Sequence, residues 1–376
     1  MSWHESRLGD VLTLQRGHDL PNTMRLDGDI PVVSSSGITG HHNEPKASAP
    51  GVVTGRYGTL GEVFYIEQDY WPLNTALYVT DFKGNHPRFI AYLLRNVLRN
   101  YKSDKAAVPG VNRNVLHEIK IHFPDTQVQK RIAAILSAYD DLIENNRRRI
   151  QLLEQAARLL YKEWFVHLRY PGREHVKIKD GVPEGWEDTF LPDVIDVNPK
   201  TPIEKGKEIW YVPMSALSEL GMTADTRDFE RRTTHTTVKF KKHDVLLARI
   251  TPCLENGKTG LAYFLWDDDV ACGSTEFIVL RGKRVSYAFT YCLARSYPFR
   301  GNAIKSMIGS SGRQRVQVSC FDEYKVPLPP TYLMGMFDEI ANESFEQIRI
   351  LIAQNDRLVK ARDLLLPRLL NGGIPA

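Results

Sequence analysis

The hydrophobic positions between residues 126 and 165 recur in a 4-3-4-3 rhythm, the heptad spacing of a coiled-coil seam. All are apolar except one asparagine: Ile132, Leu136, Tyr139, Ile143, Asn146, Ile150, Leu153, Ala157, Leu160 and Trp164. A helix of roughly 40 residues at about 1.5 Å per residue is on the order of 60 Å long. Because a small domain cannot cover such a helix, the pattern predicts a partner helix.

The C-terminal segment carries a matching seam at an offset of 209 residues. Its positions are Ile348, Ile352, Asn355, Val359, Arg362, Leu366 and Leu369. Arg362 and Pro367 interrupt the apolar pattern. We expect Pro367 to kink or end this helix near Leu366, and Asn371-Gly372-Gly373 to stop it.

The segments before the two helices are copies of one another. WHESRLGDVL, starting at Trp3, aligns with WEDTFLPDVI, starting at Trp186, at an offset of 183. Later anchors keep their order, with offsets of 193 (Arg56 and Arg249), 200 (Asn74 and Ser274) and 205 (Ile119 and Tyr324). An offset that only grows indicates a duplicated domain with insertions in its second copy.

The resulting layout is globular domain, helix, globular domain, helix, with limits at residues 1–125, 126–168, 169–330 and 331–376. Short β-rich runs separated by glycine-rich turns fill both globular domains. We predict strands over residues 30–33, 51–54, 77–79, 245–247 and 277–280. One helix per domain interrupts the β pattern, over residues 88–98 and 286–294. The predicted class is α+β, with the two globular domains separated by two long helices that pair as a coiled coil.

The amino-acid composition excludes some classes of protein but does not indicate a function. Hydrophobic residues make up 42% and charged residues 25%, the mix of a soluble globular protein. The sequence shows neither a signal peptide pattern nor a stretch of 18 apolar residues, so we expect a cytoplasmic protein without a membrane span. The four cysteines lack C-x-x-C spacing, which favours no zinc site and no disulfide framework. A net charge of +4 permits an acidic partner without establishing one.

Catalytic signatures are absent from the sequence. Asn198-Pro199-Lys200 lacks the second proline and the aromatic residue of a base-methylating motif, and no phosphate-binding P-loop occurs. Pro124-Asp125 and Pro192-Asp193 begin like nuclease carboxylate pairs, but no E-x-K follows. We therefore expect no catalytic residue and no metal site.

Two glycine-containing loops follow apolar strands and carry side chains able to contact DNA. They are GRYGTLG at residues 55–61 and ARITPCLENGK at residues 248–258. Arginine can bond two acceptors of guanine, and asparagine can do so for adenine. The alternative is that Arg56 and Arg249 hold their loops by bonding local carbonyl groups. The candidate DNA-binding residues of these loops are Arg56, Tyr57, Thr59, Arg249, Thr251, Asn256 and Lys258.

Three further segments supply candidates of the same chemical types. VPGVNRN at residues 108–114 and GSSGRQRV at residues 309–316 precede the long helices, and GITGHHN at residues 37–43 forms a turn. Their side chains suit phosphates and base edges, although solvated surface loops are the alternative. The candidates are His41, His42, Asn112, Arg113, Arg313, Gln314 and Arg315.

Asn146 and Asn355 occupy matching positions near the midpoints of the two seams. In an antiparallel pair the midpoints meet, so we expect these side chains to hydrogen-bond and to fix the register. The alternative is that both are exposed points at which the seam opens towards a bound partner protein.

The chain resembles the specificity subunits of type I restriction-modification systems. The resemblance covers nearly the whole chain and rests on GRYGTLG, WPLNTALYV (71–79), VPGVNR, YKEWFV (161–166) and VPLPP (326–330). It implies two target-recognition domains, each reading one half of a split site in double-stranded DNA, held apart by two antiparallel helices.

The resemblance also implies partners. The helices would dock two modification (adenine methyltransferase) subunits and, through them, restriction/translocase subunits, in the cytoplasm of a prokaryote. S-adenosylmethionine, ATP and Mg would be bound by those partners, and this non-catalytic chain would bind no cofactor. The alternatives are a fused or stand-alone DNA methyltransferase or nuclease, and a coiled-coil scaffold that binds no DNA.

Overall fold

The computed structural model describes residues 3–56, 61–99, 101, 110–234 and 236–376 of the 376-residue chain. The chain divides into two compact units. Unit 1 comprises Met1–Asn145 and Asn355–Ala376, and unit 2 comprises Asn146–Gln354. Each unit thus holds one globular domain and one stretch of each long helix. The four domain limits given above stay predictions.

Unit 1 begins with a mixed α+β domain. Its strands are β1 (Trp3–Arg7), β2 (Thr13–Arg16), β3 (Ile30–Ser34), β4 (Gly37–His42), β5 (Gly51–Gly55), β6 (Val63–Ile66), β7 (Trp71–Pro72), β8 (Ala76–Asp81) and β9 (Lys120–Pro124). Its helices are α1 (Leu8–Val11), α2 (Pro87–Arg99) and α3 (Arg113–His117), followed by the first long helix α4 (Thr126–Tyr161).

Unit 2 repeats this order after a π-helical turn at Lys162–Val166. Its strands are β10 (Ile178–Lys179), β11 (Val182–Pro183), β12 (Glu187–Phe190), β13 (Ile195–Val197), β14 (Ile209–Val212), β15 (Glu230–Arg232), β16 (Val238–Lys241), β17 (Val245–Ala248), β18 (Thr259–Leu261), β19 (Val270–Gly273), β20 (Phe277–Gly282) and β21 (Lys325–Leu328). Its helices are α5 (Leu191–Val194), α6 (Tyr287–Arg295) and α7 (Tyr297–Lys305), followed by the second long helix α8 (Thr331–Leu370).

The main sheets of the two units have the same strand order among the described strands. The order is β2-β8-β5-β6 in unit 1 and β13-β20-β17-β18 in unit 2, and all neighbours are antiparallel. Each domain also pairs its first strand with its last, β1 with β9 and β12 with β21. The duplicated α+β domain predicted from the repeated anchors is confirmed.

Each unit also has a second sheet, β4-β3-β7 in unit 1 and β15-β14-β19-β16 in unit 2, and the largest insertion lies between two of its strands. In unit 1, β3 and β4 are joined by residues 35–36, whereas in unit 2 β14 and β15 are joined by residues 213–229. This interval falls where the repeat offset rises from 183 to 193. Parallel pairing of β3 with β7 and of β14 with β19 shows that the flanking strands correspond.

A buried helix lies on the main sheet of each unit. Phe89 and Leu93 of α2 belong to one apolar core with sheet residues and with Ile132 of α4. In unit 2, Phe289 of α6 belongs to a core shared with Phe337 of α8. Because the apolar sides of both helices face inwards, each domain is anchored to the long helices by core packing.

The predicted seam is the buried side of the first long helix. Its buried members are Ile132, Leu136, Ile143, Asn146, Ile150, Ala157 and Trp164. The helices are antiparallel: in unit 1, Arg362 meets Asp140 and Asn355 meets Ile143, so positions in α8 fall as those in α4 rise. The long paired helices predicted from the heptad pattern, and the antiparallel direction that the resemblance implies, are confirmed.

The expectation that Pro367 would kink or end α8 near Leu366 is wrong as to the ending, because the helix continues past Leu366. It continues through Pro367 to Leu370, and Gly372 then adopts a left-handed conformation with φ of +68°. An internal proline costs a helix about 3 kcal/mol. Leu366, Leu369 and Leu370 are all buried, and burying each leucine contributes about 1.5–3 kcal/mol. Burial on both sides of the proline outweighs its cost.

Arg362, which interrupts the apolar seam, forms an ion pair in unit 1. Its Nη1 lies 2.5 Å from Oδ1 of Asp140, whose Oδ2 accepts a hydrogen bond from the Tyr92 hydroxyl at 2.7 Å. Burial, and then the Asp140 charge, raise the pKa of Tyr92. The charged seam position therefore links α2, α4 and α8.

Candidate nucleic-acid interface

Arg56 lies immediately after β5, where two candidate loops of unit 1 meet. Its backbone N–H donates to the Thr75 carbonyl at 3.0 Å, and its carbonyl accepts from the Val111 N–H at 2.9 Å. The second bond holds the start of the VNRN segment beside Arg56. Tyr57 and Thr59 lie outside the described residues.

The VNRN segment turns directly into a short helix. Asn112 is the N-cap of α3, and its side-chain oxygen accepts from the Asn114 N–H at 3.0 Å. Satisfying a free N–H at a helix start is the usual role of an asparagine at this position. Asn112 and the following Arg113 are both exposed, so each side chain is accessible from solvent.

The two backbone hydrogen bonds made by Arg56 recur around Arg249 in unit 2, and we call this pair of bonds the backbone frame. The Arg249 N–H donates to the Glu276 carbonyl at 2.9 Å, and the Val316 N–H donates to the Arg249 carbonyl at 2.9 Å. A further bond joins the Thr251 N–H to the Gln314 carbonyl at 3.0 Å. Val111 and Val316 differ by 205 residues, the offset of the last repeat anchors. Each unit therefore brings its two candidate loops together in the same way.

The Arg249 side chain is partly committed within its own unit. Its Nη2 donates to the Val316 carbonyl at 3.0 Å. Its Nε is buried and has no hydrogen-bond partner among the described residues. The first contact agrees with the alternative in which this arginine bonds a local carbonyl group, and a role in DNA binding stays a prediction.

Other candidates of unit 2 also have partners within the chain. Arg315 forms a two-pronged ion pair with Glu276, with a shortest distance of 2.7 Å, and this carboxylate raises the pKa of Arg315. Arg313 is exposed and Gln314 is half-buried. Because the ion pair uses Nε and Nη2, a phosphate would contact Nη1 of Arg315 or displace the Glu276 carboxylate.

The loop after Arg249 is held by the inserted segment 213–229 and by its own residues. The bonds join Thr251 Oγ1 to Glu255 at 2.9 Å, Asn256 Nδ2 to Glu219 at 3.1 Å and Lys258 Nζ to the Met214 carbonyl at 3.2 Å. Since these bonds fix the side chains, the loop is pre-organised. Their roles in DNA binding stay predictions.

The two adjacent histidines of β4 differ in environment. His41 is exposed, whereas His42 is 6% exposed. Nδ1 of His42 accepts from the Leu26 N–H at 3.1 Å, and its ring contacts that of Trp71 edge-on at 5.2 Å. His42 thus packs within the domain, while His41 remains available to a ligand.

Sequence reasoning missed a buried carboxylate that supports the loop of unit 2. Glu154 of α4 is 3% exposed; its Oε2 accepts from the Met222 N–H at 2.8 Å and its Oε1 from the Tyr291 hydroxyl at 2.6 Å. Arg295 then joins the Leu220 carbonyl, at 3.1 Å, to the Gly257 carbonyl. These bonds connect α4, the inserted segment and the loop after Arg249.

Sequence reasoning also missed a groove next to Arg249. It has a volume of about 670 Å³ and is lined by the segment Asn198–Pro202, by the edge of β16 and by Arg249 and Thr275. Lys200 and Lys239 are among its lining residues. The corresponding signal in the sequence is weak, because neither lysine belongs to a motif.

The described residues contain neither a candidate metal site nor a candidate membrane-spanning helix. No group of three His, Cys, Asp or Glu side chains within them could hold a metal ion, and no helix is long and apolar enough to cross a membrane. Cys272 and Cys292 are buried, whereas Cys253 and Cys320 are half-buried, and all four are free thiols.

Residues 1–155 and 183–333 each match the family model described as the type I restriction modification DNA specificity domain. The chain belongs to this family and contains two copies of the domain. The first match covers the first globular domain and most of α4, and the second covers the second globular domain up to the start of α8, in agreement with the internal repeat.

Two curated relatives are type I specificity subunits. The chain is 25% identical over 283 residues to the MjaIX specificity subunit of Methanocaldococcus jannaschii, covering 72% of this chain and 64% of that protein. It is 32% identical over 168 residues to the EcoEI specificity subunit of Escherichia coli, covering 42% of this chain and 28% of that protein. These matches span less than two thirds of each relative.

A solved structure shares the fold. The S subunit of a type I restriction-modification system from M. genitalium matches with a TM-score of 0.58 at 14% identity, covering 98% of this chain and 96% of that one. The likeness supports the α+β architecture with two repeated domains.

Proposed function

We propose that the chain is the DNA-recognition subunit of a type I restriction-modification complex, and that each globular domain reads one half of a bipartite site. The observation that carries the proposal is the matched backbone frame around Arg56 and Arg249. In both units the frame joins a loop after a buried strand to a polar segment rich in arginine, asparagine or glutamine. Such side chains bond phosphates and base edges. Two equivalent frames in one chain fit two half-sites.

The long helices are proposed to dock two modification subunits, which methylate adenine, and through them restriction/translocase subunits. Support comes from apolar side chains that the seam leaves exposed. Leu142, Leu152 and Leu159 of α4 are 46%, 64% and 58% exposed, and Leu364 of α8 is 66% exposed. Exposed apolar side chains along a long helix suit binding to another protein.

Chemistry is proposed to reside in the partner subunits. S-adenosylmethionine would serve the modification subunits, and ATP with Mg the restriction/translocase subunits. This chain would contribute site selection without a cofactor of its own, consistent with its lack of methyltransferase and P-loop signatures in the sequence. Its role is then to hold DNA and enzyme subunits in a fixed arrangement.

The proposal is tested by mapping adenine methylation across a genome that expresses the chain with its modification subunits. We expect methylated adenines in one sequence made of two half-sites with a fixed spacer. Purified complex should also bind that DNA in a salt-sensitive way. Methylation by the isolated chain would favour the fused enzyme, and a complex that binds no DNA would favour the scaffold.

A further inference from the structure

The groove beside Arg249 in unit 2 combines a basic and hydroxyl-rich lining with a pre-formed shape. Its volume of about 670 Å³ is bordered by Lys200, Lys239 and Arg249, by Thr236 and Thr275, and by apolar residues such as Phe277 and Val279. Its described lining residues include no aspartate or glutamate. A concave surface with this composition attracts an anion.

The segment that carries Lys200 is fixed on both sides. Asn198 has a φ of +51°, its N–H donates to the Val279 carbonyl at 2.7 Å, and its side-chain oxygen accepts from the Val279 N–H at 3.0 Å. Thr201 Oγ1 accepts from Arg281 Nη2 at 2.9 Å. Lys200 lies between these two attachments and is itself exposed. The backbone position of Lys200 at the groove is therefore fixed.

The opposite wall is formed by β16, which pairs with β19 and contributes Lys239. In unit 1 the corresponding pairing is a single bridge between Ala47 and Tyr70. Lys46 lies beside this bridge and precedes Lys239 by 193 residues, the same offset that relates Arg56 to Arg249. A lysine thus recurs at this place in both copies of the domain.

Building on the proposed function, we infer that this groove binds the sugar-phosphate backbone of the second DNA half-site, with Lys200 and Lys239 as phosphate contacts. Lysine is a compact charge with three donors, and threonine hydroxyls donate to phosphate oxygens, whereas base reading favours planar bidentate groups. The one guanidinium among the described lining residues, that of Arg249, already donates to Val316. The groove therefore positions the duplex while the neighbouring loops meet its bases.

The test measures DNA affinity against salt concentration for the full chain assembled with its modification subunits. Each phosphate contact lowers the slope of log affinity against log salt by about 0.9, so Lys200→Ala with Lys239→Ala should reduce its magnitude by about 1.8. Affinity should fall equally for matched and mismatched second half-sites. Lys200→Arg with Lys239→Arg should keep the slope.

Lys177→Ala with Lys179→Ala is the matched control, because both lysines are exposed and lie in or beside the β10-β11 hairpin of the same unit. If the double alanine variant does not fold, each single variant should still reduce the magnitude of the slope by about 0.9. A slope equal to that of the control overturns the phosphate assignment while leaving the proposed function intact. Absence of salt-sensitive binding by the unmodified complex overturns the proposed function itself.

A free anion is the other ligand with this chemistry. Titration of the complex with inorganic phosphate alone should show no saturable binding, because one phosphate engages only part of the groove. Saturable phosphate binding that the double alanine variant removes, with an unchanged DNA slope, would assign the groove to a small anion instead.

Discussion

Val316 and Arg249 are joined by two hydrogen bonds, one from the Val316 N–H to the Arg249 carbonyl at 2.9 Å and one from Arg249 Nη2 to the Val316 carbonyl at 3.0 Å. The first of these recurs between Val111 and Arg56 in unit 1. The backbone role of the arginine position is thus common to both copies. The side chain of Arg249 adds a bond that fixes the loop against the segment before α8.

Arg56→Ala and Arg249→Ala should each impair recognition of one half-site only, because each residue lies in a different domain. Loss of a bidentate base contact costs about 1–3 kcal/mol. Competition binding with DNA altered in one half-site at a time measures this effect. Equal weakening for all sequences would indicate a phosphate or structural role. Unfolding of the Arg249→Ala variant would show that Arg249 acts mainly on the stability of the fold, through its hydrogen bond to Val316.

Glu154→Ala should destabilise unit 2 and weaken discrimination at the second half-site while sparing the first. The change removes two hydrogen bonds to a charged acceptor, each worth about 1.5–3 kcal/mol, and leaves the Met222 N–H and Tyr291 hydroxyl without this acceptor. Urea unfolding gives the loss of stability, which should exceed about 2 kcal/mol. Gln155→Ala, at an exposed neighbouring position, is the control. Equal stability of the two variants would contradict the supporting role of Glu154.

The buried helix seam and the duplicated domain could be predicted from the sequence, because they depend on local periodicity and on internal repetition. Burial of the α4 seam follows from heptad spacing, and the shared sheet order follows from anchors that recur with growing offsets. Glu154 could not be singled out, because its partners Met222 and Tyr291 are distant in sequence and its neighbour Gln155 is exposed. The effect of Pro367 was misjudged for a similar reason, since burial on both sides of a proline depends on tertiary packing.

The candidate contacts were predictable only as chemical types. Arginine and asparagine in glycine-containing loops identify segments, but the sequence does not show that Asn112 caps a helix or that Arg315 pairs with Glu276. Lys200 and Lys239 were not predicted from the sequence, because the groove forms only where the segment Asn198–Pro202 meets the edge of β16 in the folded domain. Identifying such residues requires the fold.

Alkaline pH should destabilise unit 2 through its buried tyrosines. Burial raises the pKa of Tyr161 and Tyr291 well above the ordinary value of 10.0. The folded unit keeps these phenols neutral while the unfolded chain ionises them, so their contribution is fully present below pH 10 and is lost as pH rises above it. Each such group lowers the free energy of unfolding by at most about 1.4 kcal/mol per pH unit.

Urea unfolding between about pH 9 and pH 11 measures this loss. Tyr161→Phe should reduce the alkaline slope by one titrating group, whereas Tyr297→Phe, at a site that is 86% exposed, should leave it unchanged. Equal slopes for the two variants would show that Tyr161 ionises as readily in the folded chain as in the unfolded one.

Leu152→Glu with Leu159→Glu should abolish co-purification of the modification subunits while preserving the fold. Both leucines are exposed and one heptad apart on α4. Burying a leucine at an interface contributes about 1.5–3 kcal/mol, so losing both should raise the Kd by well over about tenfold. Gln151→Glu with Gln155→Glu adds the same charge at exposed positions of the same helix and is the control. Retained binding by the leucine variant would place the docking surface elsewhere.

Asn146 and Asn355 are expected to set the register of the long helices. Asn146 is only 1% exposed, which contradicts, for this residue, the alternative of an exposed opening in the seam. Asn355 is half-buried, and its Nδ2 donates to the Ile143 carbonyl at 3.4 Å. That the two amides bond each other stays a prediction. A buried polar pair fixes register at some cost in stability, and we expect register in turn to set the separation of the two globular domains.

Replacing both asparagines with leucine should therefore raise thermal stability and broaden the range of spacers that the complex methylates, because an apolar seam tolerates slippage by one heptad. Replacing only one should lower stability, since its partner would lose the hydrogen bond predicted between the two amides. Asn145→Leu, at an exposed position beside the seam, should change neither property. Methylation of DNA libraries with variable spacers measures the preference. An unchanged spacer preference in the double variant would mean that register is fixed by other contacts, such as the Arg362–Asp140 ion pair.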